Sequence, residues 1–220
     1  TTITANFTPI DAVSITPKPG YIKVDFVIEG KGGQIAKGET TTYYVDPNRK
    51  VTLNAPTTVA DTGYEFNTWR PDPKASQAYN KTTTIKGTFT ELAPIIPSTD
   101  NQGKPNPKPD GYVTVTFDKG EHGTLTGQTV YYVKPNVEVT VPAPSVEAKV
   151  GYDFKDWDKN LTQTFTKDET ITAKYNSKDD IIPQNNTDGS DKPEGYKTVK
   201  FVGVNGKLEG TLVYYVNPEK

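Results

Sequence analysis

From Tyr112 to Phe117 the side chains alternate, with Val113, Val115 and Phe117 apolar and Thr114 and Thr116 polar. A period of two marks a strand that buries one face and wets the other. The same alternation returns at Ile22, Val24 and Phe26, again around Val137, Val139 and Val141, and again at Ile171, Ala173 and Tyr175. Ile85, Gly87 and Phe89 repeat that last pattern, and Ile3, Ala5 and Phe7 repeat it once more. Val51 and Leu53 predict a further strand in the first half. Between these runs stand turn formers: Gly30–Gly33, Asp46-Pro47-Asn48 and Gly120–Gly123. No stretch carries a helical period long enough for a helix; Ser145–Lys149 has room for one turn at most. The pattern predicts an all-β or β-dominated α+β chain of short strands.

The strands come in sets. Gly111–Tyr175 reads GYVTVTFD, then GTLTG, YYVKP, VTVPAP, GYDFKDWD and ETITAKY. An upstream set opens at Gly20-Tyr21, passes through Tyr43-Tyr44-Val45-Asp46-Pro47 and Gly63-Tyr64-Glu65-Phe66-Asn67-Thr68-Trp69, and closes at Phe89. A third opens at Gly195-Tyr196 and reaches Tyr214-Tyr215-Val216-Asn217-Pro218. Thr1–Phe7 matches the closing strand alone. Self-similarity at a fixed period marks a tandem array. The expected organisation is a tail strand and linker over 1–16, repeat 1 over 17–97, a Pro-rich linker over 98–110, repeat 2 over 111–183, a linker over 184–194 and the head of a third, truncated repeat over 195–220. Proline-rich joints of this kind are expected to be extended. Ile95-Ile96 and Ile181-Ile182 break their polarity, which predicts that these pairs dock on a neighbouring unit or extend the last strand.

About 65 structured residues per repeat lie near the lower limit for an independent core. Large aromatics make such a core feasible, since each buries about 150–250 Å². Phe117, Tyr132, Phe154, Trp157 and Phe165 are expected to fill it, with Phe26, Tyr44, Phe66 and Trp69 as their equivalents. The opposite phase then leaves Tyr43, Tyr131 and Tyr214 as exposed aromatics and the candidate ligand contacts.

Composition removes most chemistry. Net charge is −2, so no strong field draws in nucleic acid, and no apolar run is long enough to insert in a membrane. Cysteine and methionine are absent, which excludes a disulfide framework, thiol catalysis and Cys-ligated zinc. His122 is the single histidine, and its counterparts are Gly32 and Asn205, as suits a turn position. Gly30–Gly33 lacks the Lys-Ser/Thr ending of a phosphate loop. Asn186–Asp191 (NTDGSD) lacks the spacing and distal Glu of a calcium loop. No enzyme, metal site or cofactor is expected.

The arrangement quoted above resembles the tandem repeats of Gram-positive cell-wall-anchored surface proteins, above all the streptococcal SHIRT domains. In its VTF start, GYxFxxW centre and TITAxY end it is also similar to the Listeria–Bacteroides repeat, the internalin B-repeat type. The resemblance implies small β-rich domains set head-to-tail in an elongated rod, non-catalytic, that projects an adhesin from the cell wall. It also implies an extracellular location, anchored in the full-length protein. The partners expected are neighbouring repeats, with a host glycan or protein bound through a separate domain. The alternative is a binding module in which Tyr43, Tyr131 and Tyr214 contact that glycan or protein. End-to-end contact between the tail 1–7 and the head 195–216 is a further expectation.

Overall fold

The computed structural model describes residues 10–220, so the closing strand expected at Thr1–Phe7 lies outside the described residues. Every regular element among them is a strand. Residues fall into two compact units, one reaching Ala93 and including Pro109–Gly111, the other holding Pro94–Lys108 and Tyr112–Lys220.

Unit 1 contains β1 (Val13–Ser14), β2 (Ile22–Ile28), β3 (Gly33–Ile35), β4 (Thr42–Val45), β5 (Thr58–Ala60), β6 (Tyr64–Arg70) and β7 (Thr83–Glu91). Its main sheet runs β1-β4-β2-β7-β6, and β3 and β5 form a two-stranded ribbon beside it. The first and last long strands of the repeat, β2 and β7, lie parallel in the middle, with Phe26 opposite Ile85. Their inward faces are Val24, Phe26 and Ile85, all under 4% exposed. Trp69 meets Phe26 edge-on at 5.1 Å.

Unit 2 repeats this plan with β8 (Ile95–Pro97), β9 (Val113–Asp118), β10 (Gly123–Thr126), β11 (Val130–Val133), β12 (Glu138–Thr140), β13 (Ser145–Ala148), β14 (Tyr152–Trp157), β15 (Thr162–Thr164) and β16 (Glu169–Ser177). The main sheet is β14-β16-β9-β11-β8, flanked by the ribbons β10-β13 and β12-β15. Phe117 faces Ile171 across the parallel pair, as Phe26 faces Ile85 in unit 1. Beyond it, β17 (Ile181–Pro183), β18 (Lys197–Lys200) and β19 (Val213–Val216) form a three-stranded sheet, β17-β19-β18.

Both repeats carry a bulge in the same place, at Phe66/Thr68 in β6 and Phe154/Asp156 in β14. Residues three apart in a regular strand face opposite ways. The extra residue turns the ring of the Trp back to the side of the Phe. The ring centroids are then 5.4 Å apart for Phe66–Trp69 and 5.6 Å for Phe154–Trp157.

Several expectations are corrected. The Tyr-Tyr-Val strands of the two complete repeats sit in the opposite phase, with Tyr43 and Tyr131 9% and 7% exposed while Tyr44 and Tyr132 are half-buried; in the third copy it is Tyr215 that is buried. The sequence T/V-Y-Y-V is apolar at every step, so alternation alone cannot choose a face; the partner strand does. Tyr131 lies opposite Val115 and Val133 opposite Val113, which puts all four on the core side. Phe154 is 38% exposed instead of core, and Phe66 and Trp157 are only partly buried. Ser145–Ala148 is strand, not a helical turn. Val51 makes a single bridge to Gln77, and the ribbon strand of that region is Thr58–Ala60. The Pro-rich stretch after Pro97 folds back instead of extending: Asp100 and Lys104 close a turn, and Asn106 returns its N–H to the Ser98 carbonyl at 2.8 Å.

Candidate functional site

The feature that recurs ahead of each repeat is a connector strand. In each case the short strand that precedes a repeat completes that repeat's sheet at its edge. Val13 and Ser14 pair with Val45 and Tyr44; Ile95–Pro97 pair with Val133–Tyr131; Ile181–Pro183 pair with Val216–Tyr214. The residue after each Tyr-Tyr-Val then donates its N–H to the residue just ahead of the connector. Asp46 donates to the Ala12 carbonyl, Lys134 to Pro94 and Asn217 to Asp180, at 2.9, 2.9 and 2.8 Å. The Ile-Ile pairs therefore dock on the following repeat's sheet. β16 ends at Ser177 and β17 starts at Ile181, leaving three residues between the sheet of one repeat and the edge of the next.

The junction inside unit 2 is closely packed. Tyr196, from the Gly-Tyr that opens the third copy, is 2% exposed and donates its hydroxyl to the Asp179 carbonyl at 2.9 Å. Burial raises its pKa above the ordinary tyrosine value. Tyr21 makes the same kind of bond to the Asp11 carbonyl at 2.7 Å. Asn217, also 2% exposed, accepts the Glu219 N–H and lays its carboxamide over Gly151. Gly151 has φ of 87°, and a Cβ there would run into that carboxamide. Lys178 seals the rim, with its N–H on the Gly151 carbonyl and its ammonium 2.7 Å from Asp153.

The loops after the second and third connectors are tied down by carboxylates, with Asp100 accepting the N–H groups of Gln102 and Lys104 in the second. Asp191 accepts the N–H groups of Asn185 and Asn186 at 2.6 and 3.2 Å and the Tyr215 hydroxyl at 3.1 Å. The Asn185 N–H foremost holds its carboxyl below the usual range. The carboxylates of NTDGSD are thus turned on their own backbone, since Asp188 likewise accepts from Ser190. No group of three or more His, Asp or Glu side chains suited to a metal ion occurs among the described residues. Asp168 accepts the Thr114 N–H at 2.7 Å, and that bond foremost lowers its pKa.

Of the three tyrosines expected as ligand contacts, Tyr43 and Tyr131 are buried within their own units and Tyr214 is half-buried. Tyr43 donates its hydroxyl to the Asn54 carbonyl at 2.9 Å, and Tyr131 packs edge-on against Phe117 at 6.3 Å. Burial raises the pKa of both. Tyr214 is half-buried, edge-on to Phe201 at 6.0 Å. His122 stacks flat on Tyr152 with centroids 3.8 Å apart, and Glu121 lies 3.8 Å from its Nε2. Residue patterns also missed an open cleft of about 560 Å³ in unit 1, with Leu53, Asn54, Pro56, Phe66, Trp69 and Lys74 in its wall. The insertion Pro71–Ala78, which repeat 2 lacks, was the available signal, because it contributes Lys74.

No curated protein and no solved structure matches the chain. The sequence model of the divergent InlB B-repeat domain matches twice, over residues 26–91 and 113–179, more than half of the chain. Those two stretches coincide with the strands from β2 to β7 and from β9 to β16. Domains of this type are typical of extracellular surface proteins. Two matched copies, built on one sheet plan with one bulge and one connector geometry, place the chain in the divergent InlB B-repeat family.

Proposed function

We propose that the chain is a non-catalytic stalk segment of a bacterial cell-surface adhesin, which holds a binding domain away from the cell wall. The observation that carries this reading is the connector strand. A spacer must join its units without slack, and here each joining segment is hydrogen-bonded into the sheet that follows. An array in which each unit touches only its neighbours lengthens by simple addition. The tyrosine-based binding alternative loses Tyr43 and Tyr131 to the core. Small-angle scattering of the 220-residue chain, paired with a glycan array, tests the proposal. An elongated profile with flat glycan binding is expected. A compact profile, or saturable binding to one glycan class, refutes it.

A further inference from the structure

A stalk that holds a binding domain on an anchored support is pulled along its chain, and the strand topology says how such a load is carried. The inference rests on the stalk reading. Load enters repeat 2 on the way into β9 and leaves it at the end of β16. These two strands are direct neighbours and run parallel, with Glu169 opposite Val115 and Thr172 opposite Asp118. β9 is therefore drawn by its N-terminal end and β16 by its C-terminal end, in opposite directions along a shared axis. β2 and β7 stand in the same relation, from Val24–Thr83 to Ile28–Gly87. The hydrogen bonds of a parallel ladder are evenly spaced. A pull along the strands stretches them together, whereas a pull across the strands at one end opens them one after another.

Two further features oppose sliding. Each loaded strand is interior to its sheet: β9 lies between β16 and β11, and β16 between β14 and β9. In repeat 1, β2 lies between β4 and β7, and β7 between β2 and β6. None of the four is an edge strand that is stripped from one side. The facing side chains also fix the register. Phe117 and Ile171 stand opposite one another, 4% and 0% exposed, and a slip of one residue would turn every side chain of a strand to the other face. The connectors are the weaker joints, held by three residue pairs in β8 and two in β1, against four between β9 and β16 and five between β2 and β7. They give way first, and the parallel pair bears what remains. We propose that the paired first and last long strands of each repeat act as a force-bearing clamp, which keeps the repeat folded when it is pulled along the chain.

Single-molecule force spectroscopy of the full chain tests this by changing the direction of pull. The sequence has no cysteine, so introduced pairs define the attachment points. Asp110, Lys167 and Asp179 are exposed and lie outside the strands. Asp110→Cys with Asp179→Cys pulls β9 and β16 by opposite ends. Asp110→Cys with Lys167→Cys pulls them by the same end, where the Asp168 carboxylate accepts the Thr114 N–H. At one pulling speed the unfolding force should be at least about twofold higher for the first combination, because four residue pairs share the load instead of one. Unchanged circular dichroism and denaturation midpoints check that both variants fold alike. Equal forces, or a higher force for the second combination, overturn the proposal. The force ratio is a property of the single repeat and the scattering profile a property of the array, so either reading can fail while the other stands.

Discussion

Replacing Tyr131 and Tyr132 in turn by Ala puts the phase of the core to a direct test. Tyr131 is 7% exposed and meets Phe117 edge-on at 6.3 Å. Its removal forfeits the transfer energy of a large ring and leaves a void that the flanking Val115 and Phe117 cannot fill. Truncation of a buried aromatic costs about 3–5 kcal/mol. Tyr132 is half-buried, and losing that smaller contact costs about 1 kcal/mol. In a domain of this size each kcal/mol lowers the melting temperature by about 4–8 °C. Tyr131→Ala should therefore lower the unit 2 transition by at least about 12 °C, and Tyr132→Ala by a third of that or less. Differential scanning calorimetry of the full chain measures this, with the unit 1 transition as internal standard. Equal losses, or a larger loss at Tyr132, would refute the assigned face.

Other outcomes follow from single contacts. Tyr196→Phe removes the hydroxyl that satisfies the Asp179 carbonyl and should cost about 1–2 kcal/mol in chemical denaturation. Gly151→Ala should cost more than Tyr196→Phe, because a side chain at φ 87° is strained and collides with Asn217. Gly87→Ala should destabilise unit 1 by about 1–3 kcal/mol, since a Cβ there lies 2.7 Å from the Trp69 ring. Asp168 and Asp191 have folded-state pKa values below the ordinary 3.8, so the stability they contribute is complete above about pH 4 and is lost as pH falls through the folded values. Thermal melts from pH 5 to about pH 2 should show this loss, and Asp191→Asn should flatten the slope.

Much of this architecture is written in the residue order. The period-two runs at Ile22–Phe26 and Val113–Phe117 identify the central strands, and the copies identify the tandem plan. The Ile-Ile-Pro segments announce themselves as apolar residues in a polar joint, and they do dock. What alternation cannot carry is phase where both phases are apolar, as at Tyr131-Tyr132. There the face is set by pairing with β9, a contact remote in sequence. The bulge was visible in principle, since Phe and Trp three apart in a strand can share a face only if one residue is extra. Composition also suggested that prolines would extend 98–110, but Asp100 and Asn106 draw that stretch back through side-chain and backbone bonds. At Tyr43 and Tyr131 exposure was inferred from the wrong phase, whereas the connector's partner is fixed by backbone pairing with a strand remote in sequence.

The central parallel pair has a consequence for the order in which the protein matures. Because β9 and β16 bracket the repeat in sequence yet adjoin in space, no repeat can close until its final strand has been delivered. Because the edge strand comes from upstream, nothing later in the chain is needed to finish it. A polypeptide emerging N-terminus first can therefore lock one repeat after another, each templated by the segment that arrived just before it.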